Sequence, residues 1–599
     1  ILPKKKYLIT SNNWEFDSKK KYILIGEYCF LKKKKNLKKK VKILNNKTYS
    51  YKNTNNWIKE NNFLREKYLK KIHTELNKFH SINWNERSWR ILLGPWLDKF
   101  ISCINNRILQ VERVLRKEGK IIHINNSKIK NLSNRDQNEF RKKILKSEYN
   151  DLLFNKIIKF YQEKHYLIKE DNFIRKVFIK KKKIYLLHFF YNKILKIFQK
   201  IFKIKNNFVI RKIYIGNIFT TLKIFIGLKE LPFNYSEYDN LYNYKFPSPD
   251  FKLRSKIDFN IKSKNKKIIL MNKLLKECMP GTYIEGFEEI FKILEKSTLP
   301  KKIKNIYTSN IFSDSLFKFW TANQINNGAK LVHGQHGGGI GLLKDEGHLN
   351  HELKVCDKYL TWGWNGANKK IVPGYLTSTI SKNQFKFLKE GNITIVFDVI
   401  YLYSNTNSPL FSDEVFNSKP GYYFYSNLFI SKFLELLSSK NYKSLRLKFH
   451  PFENNSEFSF KKSISRNHPK LKVISNNNNS FKIFSRSKLV VFSYFHATGF
   501  CQCINLNKPC IAFTPKNNNL VLKKYHRLWK KMHEAKIFHS SPKEAAKFLN
   551  KIENNVDHWW HSKKTQSAIA EFRKNHAFTD NFRLDRIEKS LQKLTTNSN

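Results

Sequence analysis

The residues with the clearest capacity for chemistry lie in one short stretch, 333–352. It holds four histidines, six glycines and three acids, in a chain otherwise rich in lysine, asparagine, isoleucine and phenylalanine. Its opening segment, HGQHGGGIG, directly follows an apolar, strand-like run. Histidines can titrate or donate hydrogen bonds near neutral pH, and glycines let the backbone approach a ligand closely. We therefore expect a loop here that lines a ligand cleft. Its predicted cleft residues are His333, His336, Gly337, Gly338 and Gly339.

Three carboxylates follow these glycines in the segment KDEGHLNHE. They belong to Asp345, Glu346 and Glu352. If HLNHELKV is helical, Glu352 shares one face with His351, and a carboxylate there could act as a general base. With His336, these acids are the predicted catalytic groups. The alternative is a solvated helix start, where acids are common.

A metal site is the other possibility for this cluster, and a metal hydrolase would be its function. The segment HELKV lacks the second histidine four residues further on that a zincin helix needs. We therefore predict no metal site and no cofactor.

A second group of candidates follows strand-like runs in the C-terminal half. In LRLKFHP, Lys448 and His450 stand at the end of a strand, before a proline that cannot continue the ladder. Ser493 ends a later strand, and Thr498 and Gly499 open the next helix. Helix N-termini bind phosphates, so these residues are predicted to bind a phosphate-containing ligand. Ordinary turns with capping residues are the alternative. A second His-Pro pair, at His468, lies in a polar loop.

The elements that must position these groups alternate between strands and helices in two long stretches of the chain. Such alternation predicts an α/β fold with parallel, doubly wound sheets, and ligands bind such sheets at the carboxyl ends of the strands. We predict two Rossmann-like units, 1–375 and 391–555, and a helical tail over 556–599. The first unit includes a basic, mostly helical insertion at about 120–231.

Composition limits the possible partners only weakly. The 599 residues include 114 Lys and Arg against 47 acids, a net charge of +67. Asparagine and isoleucine are as over-represented as lysine, and all three have A/T-rich codons. The composition therefore points to a codon bias and not to a nucleic-acid partner. We expect no nucleic-acid partner, although a basic nucleic-acid-binding protein remains the alternative of another class.

The cysteines and the apolar segments indicate where the chain works. The odd number of scattered cysteines, seven, favours a reducing cytoplasm. No window is apolar enough to span a membrane. The basic, amphipathic stretch 180–228 could lie on an anionic membrane surface, or be buried helix and strand.

The motifs HGQHGGGIG, LTWGW, KFHP and ATGF, with LLGPWL and YIEGF upstream, resemble a family of surface-carbohydrate transferases. The likeness covers nearly the whole chain in the same order. It implies a GT-B-like fold, with two Rossmann-like domains facing a cleft and the nucleotide-sugar held mainly by the C-terminal one. Glycosyltransferases of this fold usually act without a metal ion, and the chain agrees, since it has no D-x-D motif.

Two groups of related transferases lead to different substrates. Asp345-Glu346-Gly347 and His450-Pro451 resemble the acid-acid-Gly and His-Pro motifs of bacterial sialyl and Kdo transferases, which implies a CMP-linked donor. His336-Gly337 resembles the histidine loop of polyol-phosphate polymerases, which implies a CDP-glycerol-type donor instead. We therefore expect a cytoplasmic glycosyltransferase of surface polysaccharide synthesis, with a glycan or lipid-linked acceptor. A polyol-phosphate transferase is the alternative.

Overall fold

The computed structural model describes residues 6–11, 17–26, 41–44, 51–162, 185–201, 207–398, 422–450, 460–514 and 521–579, with short gaps inside these ranges that include 345 and 346. These residues form parallel β-sheets with helices packed against them. The predicted mixed α/β class with parallel sheets is confirmed.

The strands are short and mostly buried. They are β1 (Lys6–Ile9), β2 (Lys21–Leu24), β3 (Lys42–Ile43), β4 (Ile122–His123), β5 (Phe208–Arg211), β6 (Asn305–Thr308), β7 (Lys330–Gly334), β8 (Lys358–Thr361), β9 (Ile371–Pro373), β10 (Asn392–Val396), β11 (Leu445–Lys448), β12 (Lys472–Val473), β13 (Ser487–Phe492), β14 (Cys510–Phe513) and β15 (Phe538–His539).

The helices range from one turn to about nine turns. They are α1 (Tyr51–His80), α2 (Glu86–Glu118), α3 (Gln137–Lys143), α4 (Ser147–Tyr161), α5 (Tyr185–Ile201), α6 (Ile218–Gly227), α7 (Phe251–Ser255), α8 (Lys266–Cys278), α9 (Phe287–Glu295), α10 (Leu316–Asn326), α11 (Gly347–Val355), α12 (Tyr422–Glu435), α13 (Ser439–Ser444), α14 (Phe460–Asn467), α15 (Ser480–Ser485), α16 (Thr498–Asn505), α17 (His526–Glu534), α18 (Pro542–Lys551), α19 (Val556–His561) and α20 (Lys563–His576).

Three sheets are present in the described chain. Their strand orders are β3-β2-β1-β4, β5-β6-β7-β8-β9 and β12-β11-β10-β13-β14-β15, and every neighbouring pair is parallel. The second and third sheets contain the predicted alternation of strands and helices. The predicted join between the two units falls between β9 and β10.

The apolar runs KYLITS and KYILIGEY predict strands β1 and β2 of the first sheet, whereas β3 and β4 were not predicted, and a buried strand at β5 was only one of two alternatives for its stretch. Strands β3 and β4 are only two residues long, so they leave no periodic signal in the sequence. Strand β5 lies inside the region 120–231, which we predicted to be a mostly helical insertion. All four of its residues are buried at the edge of the second sheet. The region is therefore in part a component of that sheet.

Helix α2 runs without a break through Pro95 of the LLGPWL motif, and a buried polar network lies beside it. Pro95 has no N–H group to donate within the helix. The Lys318 ammonium donates to the carbonyl of Leu92 at 2.7 Å and to Asp314 at 3.0 Å. The Tyr283 hydroxyl, from the YIEGF motif, lies 2.8 Å from Asp314. These contacts tie α2 to α10 and hold the helix that packs behind the second sheet.

The C-terminal tail returns to the second sheet. The backbone of Phe578 hydrogen-bonds to Trp362 at 3.0 Å and to Leu376 at 2.7 Å. The side chain of Asn505, in α16, donates to the carbonyl of Ala577 at 2.6 Å. The tail thus connects the second and third sheets.

No helix among the described residues is long and apolar enough to cross a bilayer. All seven cysteines are buried, and none forms a disulfide.

A buried ion pair joins the loop before α9 to helix α7. Arg254 and Glu285 form two parallel hydrogen bonds, of 2.7 and 2.9 Å, with side chains 1% and 4% exposed. Arg254 also donates to the carbonyl of Met279 at 3.0 Å. Removal of either charge would leave the other buried without its counter-ion.

We therefore expect Glu285→Gln to lower the free energy of unfolding by about 3–5 kcal/mol, because it leaves the Arg254 charge uncompensated. Thermal unfolding followed by circular dichroism measures the change. The matched control is Glu534→Gln, which removes an exposed ion pair with Lys530 and should change stability by less than about 1 kcal/mol. Equal losses in the two variants would contradict a structural role for the buried pair.

Candidate active site

The predicted histidine loop begins where β7 ends, in the middle of the second sheet. His333 is paired in register with Thr308 of β6 and Tyr359 of β8. Parallel strands present their carboxyl ends at one edge of the sheet, where ligands bind in this class of fold. His336, three residues after His333, therefore stands at the edge where the sequence placed it.

A carboxylate from the following helix meets this histidine. Glu352 lies in α11, and its Oε1 is 3.3 Å from Nδ1 of His336 and 3.8 Å from Nε2 of His333. The Glu352 side chain is 1% exposed, whereas that of His336 is 21% exposed. The structure thus brings together two of the four predicted catalytic residues, with the histidine on the side open to solvent.

At 3.3 Å, Nδ1 of His336 and Oε1 of Glu352 are close but are not aligned as a hydrogen bond. A proton on Nδ1 would face the carboxylate, which would leave Nε2 as the nitrogen able to accept another. The same division of roles orients the histidine base of hydrolytic triads. His336 is therefore suited to take a proton from a substrate, with Glu352 holding the ring.

Burial keeps His336 neutral. Burial and the nearby charge of Lys212 lower the pKa of His336 to about 4. Burial beside Arg211 lowers the pKa of Lys212 itself to about 7. Lys212 follows strand β5 and has a left-handed backbone, with φ of 56°. The sequence analysis did not single out this lysine, because nothing in the local pattern shows that β5 joins the same sheet.

His333 does not line an open surface as predicted, since its side chain is completely buried. Its ring stacks on that of Tyr359, with centroids 5.7 Å apart and planes 3° from parallel. Burial and the neighbouring His336 lower its pKa to about 3. His333 is therefore a buried neighbour of the His336–Glu352 pair.

Gln335 explains why the HGQHGGGIG and LTWGW motifs occur together. Its Oε1 accepts hydrogen bonds from the backbone N–H of Trp362 and the indole of Trp364, each 2.8 Å long. Its Nε2 donates to the carbonyl of Gly337 at 2.7 Å. This buried amide fixes the loop beside His336. Gln335 was not among the predicted site residues, although its position between two histidines after a strand could have indicated it.

The three consecutive glycines of the histidine loop differ in how closely their surroundings pack. A Cβ on Gly338 would lie 2.9 Å from the sulfur of Cys501 and 3.0 Å from the carbonyl oxygens of His496 and Ala497. A Cβ on Gly337 would meet only ordinary contacts, at 3.6 Å or more. Gly339 closes a turn, because its carbonyl accepts from the backbone of residues 342 and 343. Gly338 thus allows the loop to touch the third sheet's α16.

The predicted donor side meets this loop directly. The Thr498 hydroxyl lies 3.4 Å from the carbonyl oxygen of His336. Helix α16 begins at Thr498, and its N-cap residue, Ala497, provides no side-chain hydrogen bond. The backbone N–H of Phe500 bonds to the carbonyl of Ala497 at 3.1 Å, so the N–H groups of Thr498 and Gly499 are the candidates for an anion at this helix start.

Gly499 and Ser493 have structural partners of their own. A Cβ on Gly499 would lie 3.0 Å from the ring of Phe492 and 3.1 Å from that of Phe484, so a larger residue here would require these rings to shift. The Ser493 hydroxyl accepts from the backbone N–H of Asp398 at 3.2 Å, which joins the ends of β13 and β10.

Lys448 is the last residue of strand β11, which neighbours β10 in the third sheet, and His450 lies two residues further on. Burial lowers the pKa of Lys448, and burial together with the Lys448 charge lowers that of His450. The ring of His468, in the other His-Pro pair, bonds the Tyr442 hydroxyl at 3.1 Å.

Asp345 and Glu346 lie outside the described residues, so their predicted role stays a prediction. Among the residues that the structure describes, no three histidine, cysteine or acidic side chains are arranged to hold a metal ion.

Solved structures with similar chain paths are distant. A protein assigned as a UDP-N-acetylglucosamine 2-epimerase, from Listeria monocytogenes, is 11% identical, with coverage of 53% of this chain and 78% of that one and a TM-score of 0.32. MnaA of S. aureus with UDP is 10% identical, with 51% and 78% coverage and a TM-score of 0.29. The wall teichoic acid polymerase TagF is 11% identical, with 49% and 73% coverage and a TM-score of 0.28.

These likenesses are too weak to transfer a function, and no curated protein matches the chain. The sequence profile of the LIC12162 family, whose members are described as transferases, matches residues 6–591, which is nearly the whole chain. The protein therefore belongs to the LIC12162 family of transferases.

Proposed function

We propose that this transferase is a metal-independent glycosyltransferase of surface polysaccharide synthesis. It moves a sugar from a nucleotide-activated donor, CMP-linked as the first choice, to a hydroxyl of a glycan or lipid-linked acceptor. The supporting observation is the His336–Glu352 pair, set beside the uncapped start of α16.

On the acceptor side, His336 is the general base. Its Nε2 takes the proton of the acceptor hydroxyl as that oxygen attacks the donor sugar, and the bond from the sugar to the donor phosphate breaks. The Glu352 carboxylate, 3.3 Å from Nδ1, stabilises the imidazolium that forms. Because the ring is neutral before the reaction, it is ready to accept this proton.

On the donor side, the leaving phosphate gains negative charge as the bond breaks. The N–H groups at the start of α16, the Lys448 ammonium and the His450 ring are the groups proposed to stabilise it. Fixed donors and positive charges aimed at a developing anion lower the barrier to the reaction. This arrangement supplies the charge stabilisation that a metal ion gives in other transferases.

A polyol-phosphate transferase is the second candidate, and the same histidine favours it. In that reaction the acceptor hydroxyl attacks phosphorus, and His336 would again remove its proton. The two candidates differ in the group that is moved, so trials with CMP-sugars and CDP-glycerol as donors separate them.

We expect His336→Ala and Glu352→Gln each to lower kcat by about 10²–10⁴-fold, because each removes part of the general base. Nucleotide affinity should stay nearly unchanged, since neither side chain is placed on the donor. His558→Ala, at an exposed site on α19, is the control. Rates near that of the parent protein in both variants would mean that the pair is structural.

The pH dependence should reflect the lowered pKa of His336. A base works only when deprotonated, so the rate is fully developed above its pKa and lost as the pH falls through it. With the pKa at about 4, kcat/KM should be level from neutral pH down to about 5 and decline below that. An acidic decline centred at the ordinary histidine value of about 6.5 would contradict the lowered pKa of His336.

The donor side is tested by nucleotide binding. A thermal-shift screen of CMP, CDP, UDP, GDP and dTDP identifies the nucleotide, since a ligand at a hundred times its Kd stabilises by about 2.7 kcal/mol. His450→Ala should then weaken its binding by about ten- to a hundredfold, because hydrogen bonds to charged groups contribute about 1.5–3 kcal/mol. His468→Ala, in the other His-Pro pair, should bind as the parent does. Unchanged affinity in His450→Ala would remove this residue from the donor site.

A further inference from the structure

Large apolar side chains that remain exposed are concentrated in helices α5 and α6. On α5 they are Ile194, Ile197, Phe198 and Ile201, which are 54%, 57%, 49% and 66% exposed. Their spacing of three, four and seven residues places them on one face of the helix. The opposite side is held by the protein, because Asn192 is buried and Leu195 packs against the core.

Helix α6 repeats this arrangement. Phe219 and Ile226 are 72% and 74% exposed, and Lys223 lies between them on the same face. Ile224 and Phe225, on the other side, are buried against strand β5. Both helices are therefore held to the protein on one side and present apolar side chains outward.

Exposed lysines accompany the outward faces. Lys193 and Lys200 stand on α5, Lys223 on α6 and Lys229 just after it, all exposed. Apolar side chains beside lysines fit the interface of an anionic bilayer, where the side chains enter the acyl boundary and the ammonium groups meet lipid phosphates. A nucleic acid would engage the lysines but would leave the isoleucines in water.

We propose that a lipid-facing surface, formed by Ile194, Ile197, Phe198 and Ile201 of α5 and by Phe219, Lys223 and Ile226 of α6, binds the surface of an anionic membrane. Strand β5, between these helices, is the edge strand of the second sheet. It lies two strands from β7, which is about 10 Å across a sheet. Membrane contact there would keep an acceptor carried by a lipid close to His336.

The test is sedimentation with vesicles in the absence of substrates, so its outcome is independent of the proposed reaction. The full chain should bind vesicles of equal parts phosphatidylcholine and phosphatidylglycerol and should not bind phosphatidylcholine alone. Because a chain with a net charge of +67 is attracted to any anionic surface, variants of unchanged charge decide the question. The triple variant Ile194→Ser, Ile197→Ser, Ile201→Ser should bind at least about tenfold more weakly, since it loses the buried apolar area.

The matched control replaces three exposed apolar residues elsewhere, Phe63→Ser, Leu436→Ser and Val473→Ser, and should bind as the parent does. Thermal unfolding should be the same for parent and triple variant, because the replaced isoleucines are exposed. Replacement of Lys200 and Lys223 by glutamine should weaken binding about tenfold or more at low salt. The same change at Lys78 and Lys530, which are also exposed, should weaken it less.

Three results would overturn the proposal. The first is parent-like vesicle affinity in the triple isoleucine variant. The second is failure of the parent chain to bind anionic vesicles. The third is a parent that self-associates in solution, as light scattering would show, with the triple variant monomeric; the surface would then join copies of this chain.

Discussion

The close approach of Glu352 to His336 is the contact on which the proposed site depends. The Glu352 side chain is 1% exposed, and a buried carboxylate without a counter-ion destabilises a protein by several kcal/mol. The neutral His336 ring, 3.3 Å away at Nδ1, compensates this charge only weakly, so an imidazolium formed there during the reaction would be stabilised by the carboxylate. Much of the surrounding structure sets this distance. Strand β7 fixes the start of the loop. Helix α11, which carries Glu352 and His351, packs on α2. A Cβ on Gly94 of α2 would lie 2.5 Å from the ring of His351. The glycine of LLGPWL thus lets α11 approach closely enough to bring Glu352 to the loop.

The same loop also connects the two larger sheets. Gln335 ties it to Trp362 and Trp364 on one side, and Gly338 fits against α16 on the other. The tail adds a second connection through the backbone of Phe578. Because these contacts are tight and buried, the start of α16 and the ring of His336 hold a defined position relative to each other. This fixed placement is the property that a transfer between two bound substrates requires.

Sequence patterns predicted the parts of this structure that depend on local order. The strands before His333 and His450, the helix around Glu352 and the start of α16 at Thr498 all follow from apolar runs and glycine positions. What the patterns could not show depends on contacts distant in the chain. Lys212 approaches His336 because β5 joins the sheet at its edge, and His333 is buried in the central strand, stacked on Tyr359. Gly499 was predicted to bind a phosphate, and the rings of Phe484 and Phe492 also pack closely against it. The roles of Asp345 and Glu346 stay predictions.

The most direct measurement is a crystal structure of the protein with the nucleotide that stabilises it most. The nucleotide phosphates should lie within hydrogen-bonding distance of the backbone N–H groups at the start of α16, beside His450. His336 Nε2 should face the space next to them, with Nδ1 still against Glu352. A nucleotide bound away from α16, or a His336 ring turned so that Nε2 meets Glu352, would contradict the assignment of donor and acceptor sides made for this site.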